Sequence, residues 1–108
     1  MTPLSESTYL VLLALHDEPL HGYGIIKRIE QVSGGQFIIA PGTLYGVLNN
    51  LQAQKLIETL KQEQDSRKKR TYTITPKGLE VLREERSRLR RMMRFTQQVL
   101  GNEEDEHE

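Results

Sequence analysis

The sequence predicts a mainly α fold with one small β-hairpin, and three observations lead to this fold class. Apolar residues within positions 41–54 repeat at the three- and four-residue spacing of an α-helix. Two short segments rich in Ile, Leu, Thr and Tyr flank a polar stretch at 62–69, as the strands of a β-hairpin do. A heptad-like apolar repeat runs through residues 79–100. The 108 residues suffice for one small domain.

Two helices are predicted before the glycines at 34 and 35. Ser5 or Ser7 can cap the first, which contains the apolar run 9–15 and ends before Pro19. The second covers about residues 22–33, since the paired glycines favour a left-handed helix end. Its predicted inner stripe consists of Tyr23, Ile26, Ile29 and Val32.

The third predicted helix, residues 41–54, has two contrasting faces. Its apolar stripe consists of Leu44, Val47, Leu48 and Leu51. Its outer face carries small and amide side chains: Gly42, Gly46, Asn49 and Ala53, flanked by Tyr45 and Asn50. No charged residue occurs between Glu30 and Lys55. Such a face indicates a surface that approaches a polar partner closely, although a polar outer face without any ligand explains the pattern equally well.

A hairpin and a long helix complete the predicted order. The strands are residues 56–61 and 70–74, with Tyr72 and Ile74 on one side of the second. Thr75 and Pro76 then start a fourth helix that runs to about Leu100. This order predicts a winged helix-turn-helix in residues 1–75, a C-terminal dimerisation helix in residues 76–100 and an acidic disordered tail in residues 101–108.

The apolar seam of the fourth helix needs a partner, and a second copy of the chain is the simplest one. The predicted dimer interface consists of Leu79, Leu82, Arg86, Leu89, Met93 and Leu100. Arg86 is a polar interruption that either sets the register or pairs with Glu84 or Glu85 of the partner subunit. A second interpretation assigns some of these residues to an effector pocket, made of Leu89, Met92, Met93 and Phe95. Dimer packing alone explains them as well.

The net charge of zero hides three blocks of different charge. Residues 1–54 carry four acids and two bases, residues 55–100 carry 13 bases and six acids, and residues 101–108 carry five acids and no base. The basic block is typical of a polyanion-binding surface, but an ordinary solvated helix face has the same composition.

Composition and motifs exclude several other classes of protein. The chain has no Cys, no phosphate-binding glycine loop and no nucleophile or metalloprotease motif, so we expect no enzyme and no cofactor. His16 and His21 lack partners at ligand spacing, so no metal site is expected. The run 9–15 is too short to cross a bilayer and follows no basic residue. We therefore expect a cytoplasmic protein with no membrane partner.

Several short motifs, in order along the chain, resemble the PadR family of bacterial transcriptional regulators. The segments are 21–26 (HGYGII), 42–45 (GTLY), 51–57 and 70–78 (RTYTITPKG), and the match extends over residues 4 to about 95. Family members commonly have Pro after the Leu-Tyr pair, where this chain has Gly46. Some drug-responsive members carry a Trp in the last helix, at a place near Leu89, whereas this chain has no Trp.

The resemblance implies a dimeric, sequence-specific DNA-binding regulator, most simply a repressor of a near-palindromic operator that a small apolar or phenolic effector releases. The third helix would read bases through Thr43, Tyr45, Asn49 and Asn50. The predicted phosphate contacts are Arg67, Lys68, Lys69 and Arg70 at the hairpin, and the hydroxyl of Tyr23. The hairpin cations could instead only solubilise a loop, and the Tyr23 ring could pack in the core. The alternative function is a winged-helix protein-interaction module without DNA binding.

Overall fold

A computed structural model describes residues 3–60 and 70–107, with side chains up to Gly101. Within these residues the chain forms four helices and three short strands. In chain order they are α1 (Glu6–Ala14), β1 (Leu20–His21), α2 (Gly22–Val32), α3 (Pro41–Ala53), β2 (Ile57–Thr59), β3 (Thr71–Ile74) and α4 (Pro76–His107). The mainly α prediction is confirmed, and Ser5 rather than Ser7 caps α1 by accepting a hydrogen bond from the Thr8 amide.

The sheet has three strands, whereas the sequence predicted two. The strand order is β1-β3-β2, and both pairs are antiparallel. In β1, Leu20 lies opposite Tyr72 and His21 lies opposite Thr71. A two-residue strand has no alternation that a sequence pattern could reveal. It forms because the chain before α2 passes the open edge of β3.

One apolar core joins the first three helices to the sheet and to the start of α4. Its most buried residues include Leu12, Ile25, Leu44 and Ile57. The predicted stripe of α3 is confirmed, because Leu44, Leu48 and Leu51 are buried and Val47 packs against them. Of the predicted side of the hairpin, Tyr72 is buried and Ile74 packs against the core.

The predicted inner stripe of α2 is right at Ile29, which is buried, and at Ile26, which packs against the core, but wrong at Tyr23 and Val32. The buried positions are Gly22, Ile25 and Ile29, whereas Tyr23 is 71% exposed and Val32 is also exposed. The cause lies at Gly22, where a Cβ atom would be 2.7 Å from the Tyr45 hydroxyl oxygen. Helix α3 can approach α2 this closely because residue 22 is a glycine. The buried face of α2 therefore begins at Gly22, one residue before Tyr23, where the sequence predicted it to begin.

Helix α4 is longer than predicted, since it continues through Gly101 to His107. The expected helix end at Leu100 is therefore wrong, whereas the disorder expected for the acidic tail stays a prediction. No proline occurs after Pro76, and a single glycine lowers helix stability without ending a helix. No helix in the described part of the chain is long and apolar enough to cross a bilayer.

The start of α4 is bonded to the end of α3. The Thr75 hydroxyl accepts a hydrogen bond from the Gly78 amide at 3.0 Å and donates one to the Lys55 carbonyl at 2.8 Å. The Lys77 ammonium donates to the Gln54 carbonyl at 3.3 Å. A Cβ atom on Gly78 would overlap the Leu56 carbonyl oxygen. We call the contact among residues 54–56, 75, 77 and 78 the α3–α4 junction. It fixes the direction of α4 relative to α3.

Candidate nucleic-acid interface

The outer face of α3 is exposed and uncharged. Thr43, Tyr45, Asn49 and Asn50 all lie on it, so the structure brings the four predicted base-reading residues to one surface. A Cβ atom on Gly42 or Gly46 would meet nothing within 4 Å. The backbone of α3 is therefore accessible from this side, and a flat polar partner could approach it closely.

The predicted base-reading residues differ in how their polar groups are used. The side-chain oxygen Oδ1 of Asn50 accepts a hydrogen bond from the side-chain Nε2 of Gln54 at 3.3 Å. In the described part of the chain, no side chain is hydrogen-bonded to Asn49. Because an amide with a free donor and a free acceptor is what bidentate contact with adenine requires, Asn49 is the better placed of the two.

Tyr45 connects α3 to α2 and to the sheet. Its hydroxyl lies over Gly22 at the start of α2, while about half of the side chain stays exposed. Burial raises the pKa of the neighbouring Tyr72 phenol; Tyr45 adds to this rise, and Arg70 opposes it through its charge and a hydrogen bond. Arg70 is therefore engaged with Tyr72 on the side of the sheet that faces α2 and α3.

The helix N-termini on this side lack side-chain caps. His21 and Ala40, the N-cap residues of α2 and α3, make no capping hydrogen bond, whereas Ser5 caps α1. Free backbone N–H groups at a helix start carry partial positive charge and suit an anion such as a phosphate. The surface thus offers positive character without charged side chains on α3.

Tyr23 is exposed at the start of α2, so the alternative in which its ring packs in the core is wrong. The Lys27 ammonium lies 5.9 Å from the centroid of the Tyr23 ring. A hydroxyl and an ammonium are thus presented together beside the α2 N-terminus. Of the predicted hairpin cations, Arg67, Lys68 and Lys69 lie outside the described residues.

The predicted dimer interface divides into a covered and an open part. Leu82 is only 6% exposed and belongs to the core, and Leu79 is half-buried, so these two are not open seam positions. Arg86, Leu89, Met93 and Leu100 are exposed. The candidate effector residues Met92 and Phe95 are exposed as well. We call the uncovered apolar residues of the second half of α4 the open seam: Leu89, Met92, Met93, Phe95, Val99 and Leu100.

Glu85 is a buried charge that the sequence analysis placed elsewhere. It is only 3% exposed and accepts two hydrogen bonds from Arg88, at 3.1 Å to Nε and 2.6 Å to Nη2. The bonds from Arg88 hold the pKa of Glu85 below its usual value against the opposing effect of burial, and the Leu4 amide contributes. Glu85 is thus used within its own chain and is not free to pair with Arg86 of a partner subunit. The run of arginines around it concealed this role in the sequence.

A cavity of about 640 Å³ lies above this ion pair, between α1, the α2–α3 connection and α4. Its walls include Tyr9, Phe37, Arg88 and Leu89. Leu89 is thus the one predicted effector residue that lines it; Met92, Met93 and Phe95 lie further along α4. In the described part of the chain, no group of three or more metal-ligating side chains occurs.

Comparison with known proteins identifies this architecture. Residues 11–84 match the family model described as the transcriptional regulator PadR-like family. This chain belongs to the PadR-like family. It is 32% identical to the transcriptional regulator Rv3488 of Mycobacterium tuberculosis over 87 residues, which are 81% of this chain and 76% of that protein. The family resemblance inferred from the sequence is therefore confirmed. Since the family and the named relatives are transcriptional regulators, the expectation of no enzyme is confirmed too.

A second relative is longer than this chain. An uncharacterised 37.1 kDa protein of transposon TN4556 from Streptomyces fradiae is 41% identical over 88 residues, which are 82% of this chain and 24% of that protein. This chain therefore spans about a quarter of that relative's length.

Solved structures share the winged-helix fold. Bacillus subtilis PadR in complex with operator DNA superposes with a TM-score of 0.66 at 24% identity, covering 77% of this chain and 46% of PadR. Bordetella bronchiseptica BpsR, studied for regulation of its DNA binding by 6-hydroxynicotinic acid, superposes with a TM-score of 0.69 at 24% identity, covering 87% of this chain and 65% of BpsR. At this identity the likeness establishes the fold, and the predicted winged helix-turn-helix is confirmed.

Proposed function

We propose that this PadR-like chain is a cytoplasmic, dimeric regulator that binds a near-palindromic DNA operator through α3. The exposed, uncharged outer face of α3 carries this proposal. Neutral amide and hydroxyl groups distinguish base edges in the major groove, whereas cations bind phosphates without reading sequence. Two copies of α3 would enter successive major grooves about 34–36 Å apart. The operator complex of the structurally similar PadR supports this mode of binding.

Phosphate contacts come in this proposal from the margins of α3. The uncapped starts of α2 and α3, with Tyr23 and Lys27, would hold one phosphate strand. Arg67, Lys68, Lys69 and Arg70 would hold the flanking phosphates. Binding should therefore weaken with salt, with a log–log slope of about −0.9 for each phosphate contact.

The decisive experiment compares three variants on the DNA upstream of the chain's own gene. Asn49→Ala should relax the preference at one base position, at a cost of roughly 1–3 kcal/mol there. Changing residues 67–70 to Ala should weaken binding to every sequence alike. Gln31→Ala, an exposed amide at the far end of α2, serves as the matched control and should change neither property. Fluorescence anisotropy with single-base operator variants measures all three, and an equal loss by Asn49→Ala on every sequence would refute base reading.

A protein-interaction module is the second candidate, and the lack of charge on α3 favours it. Such a module would use the same face to bind a protein and would leave DNA unbound. Absence of DNA binding by the intact chain at low salt, or a DNA affinity that does not respond to salt, would support this candidate.

Regulation by an effector completes the proposal. A small apolar or phenolic compound bound beside Leu89, Met92, Met93 and Phe95 would alter the dimer and release DNA, as expected of a repressor. The adaptable methionines of the open seam support this idea, as does the regulation of BpsR by a small molecule. Calorimetry with a panel of phenolics and lipophilic cations tests it, and binding of none of them would contradict it.

A further inference from the structure

Two of the short sequence segments of this chain meet at one atomic contact. Gly22 belongs to the segment 21–26, and Tyr45 ends the segment 42–45. A Cβ atom on Gly22 would lie 2.7 Å from the hydroxyl oxygen of Tyr45 and 3.3 Å from Cζ of the same ring. The hydroxyl end of Tyr45 therefore occupies the space that any larger residue at position 22 would need. The proposed function uses both helices but gives this contact no role.

The backbone at position 22 does not itself require a glycine. The residues with positive φ in the described part of the chain are Gly34, Gly35 and Lys55, so Gly22 has a backbone conformation that any residue adopts. It is the first residue of α2, and glycine is a poorer helix former than alanine. The structural reason for a glycine at this position is therefore the space that it leaves for Tyr45.

The contact lies at a corner where three elements meet. Strand β1 leads directly into α2 at Gly22, and within β1 the residue Leu20 lies opposite Tyr72 of the neighbouring strand β3. Tyr72 is buried; burial raises the pKa of its phenol, and the phenol of Tyr45 adds to that rise. The hydroxyl end of Tyr45 is thus directed toward the corner formed by β1, β3 and the start of α2.

Tyr45 differs in this respect from Asn49 on the same face of α3. The Asn49 side chain is exposed, and a Cβ atom on the neighbouring Gly46 would meet nothing within 4 Å, so a base edge could reach the amide. Reading a base requires a donor or an acceptor that projects into the groove. The hydroxyl of Tyr45 lies instead against Gly22 of its own chain, where it can fix the distance between α2 and α3.

We propose that Tyr45 is a positioning residue, whose ring over Gly22 sets the spacing between α3 and the start of α2, and that its hydroxyl reads no base. The inference rests on the proposed function and deepens it. In a DNA duplex the distance between a base edge and the neighbouring phosphates is fixed, so base contacts of α3 and phosphate contacts beside Tyr23 form together only at one spacing of the two helices. A Tyr45 ring displaced from Gly22 would also project into the face that DNA must approach.

A methyl group at position 22 tests this proposal in the full-length chain. In Gly22→Ala the new Cβ atom displaces the Tyr45 hydroxyl, and because about half of that side chain is exposed, the ring can move outward without unfolding the domain. We expect thermal unfolding close to that of wild type and binding to the upstream DNA that is about tenfold weaker, as when one good base contact is lost. Fluorescence anisotropy measures the binding.

Removal of the Tyr45 hydroxyl should reverse this loss. Phenylalanine lacks the oxygen that the methyl group strikes, so the double variant Gly22→Ala with Tyr45→Phe should recover most of the lost affinity. Tyr45→Phe alone should lower the affinity for every sequence by the same small factor and leave the order of preference among single-base operator variants unchanged. This last measurement separates positioning from base reading, because a base-reading hydroxyl is needed at one base pair only.

Gly24→Ala is the matched control within α2. A Cβ atom at this position would meet only the Leu20 side chain, at 3.4 Å, so the variant should bind DNA like wild type. Full-strength binding by Gly22→Ala, or failure of Tyr45→Phe to rescue it, would overturn the proposal. An altered preference at one base pair in Tyr45→Phe would do so as well, and it decides the matter even if Gly22→Ala does not fold. All these outcomes leave the proposed function intact, whereas a wild-type chain that binds no DNA would overturn both.

Discussion

The two halves of α4 have the same helical backbone and opposite surroundings. In residues 76–88, Gly78, Leu82 and Glu85 are buried against the rest of the domain. In residues 89–100, every side chain is exposed, including Val99 at 78%. Apart from the polar interruption at Arg86, the apolar stripe continues from the first half of the helix into the second. The difference shows that the domain's own core ends near Glu85 and Arg88 and leaves the remaining stripe uncovered, which supports its proposed role in the dimer interface.

The largest expected difference between the halves comes from truncating one apolar residue in each. Leu82→Ala leaves a cavity in the core and should lower the free energy of unfolding by about 2–4 kcal/mol. Met93→Ala removes a side chain that is 54% exposed and should change the unfolding of the isolated monomer by less than about 0.5 kcal/mol. Urea unfolding at low protein concentration measures both, and equal losses would mean that the open half is also part of the core.

Adding a methyl group at a glycine gives the next largest contrast. Gly78→Ala places a Cβ atom against the Leu56 carbonyl oxygen and 2.9 Å from Ile74 Cγ1, so it should destabilise the fold by about 1–3 kcal/mol. Gly101→Ala has only the Gln97 side chain nearby, at 3.7 Å, and should stabilise the helix by roughly 0.5–1 kcal/mol. The midpoint temperature of thermal unfolding should therefore fall for Gly78→Ala and rise for Gly101→Ala. A tolerated Gly78→Ala would show that the α3–α4 junction relaxes easily.

The buried carboxylate of the packed half predicts a pH dependence. Because the pKa of Glu85 is lowered in the folded state, its ionised form stabilises the fold above its unfolded pKa of about 4.3. That stabilisation is lost as the pH falls through the lower, folded-state pKa. Glu85→Gln should cost about 1–2 kcal/mol at neutral pH and flatten the stability profile below about pH 4.3.

Asp17→Asn is the control for this profile. Asp17 also has a lowered pKa, chiefly through its hydrogen bond with His16, but it is exposed, so solvent screens its contribution. We expect its substitution to leave the acid limb of the stability curve almost unchanged. If Asp17→Asn flattened the acid limb of the stability curve as much as Glu85→Gln does, burial of the Glu85 carboxylate would not be the cause of the loss of stability at low pH.

Two threonines give the smallest contrast. Thr75→Ala removes the α4 cap and the bond to the Lys55 carbonyl, which should cost about 1 kcal/mol. Thr96→Ala removes only a hydroxyl that donates to the Met92 carbonyl of the same helix, and the better helix propensity of Ala offsets that loss. Chemical unfolding of the pair tests the comparison. A loss at Thr96 that matched the loss at Thr75 would contradict it.

Much of the fold could be predicted because it depends on local patterns. The stripe of α3 and the start of α4 at Thr75 and Pro76 follow from helical periodicity and from capping chemistry. The exposure of the candidate site could be predicted for the same reason. In a helix whose Leu44 and Leu48 face the core, Tyr45 and Asn49 face outward.

What the sequence did not reveal depends on contacts between distant segments. Strand β1 forms only because β3 has an open edge beside it, and the stripe of α2 shifts because Tyr45 covers Gly22. Glu85 looks like one more surface acid until α1 and Leu4 are packed over it. The shift at α2 had one local signal, because Gly22 and Gly24 mark a helix that another segment can approach closely.

The α3–α4 junction has a mechanical consequence for a dimer joined through the open seam. From the centre of that seam to Gly78 the helix extends about 25 Å. Because Thr75 and Lys77 bond the near end of α4 to the end of α3, each α4 of such a dimer would act as a lever whose pivot is the point where the two helices cross. A tilt of about 5° at the pivot moves the attached α3 by about 2 Å along that lever. A ligand that only slightly changes the crossing would thereby change how far apart the two copies of α3 stand.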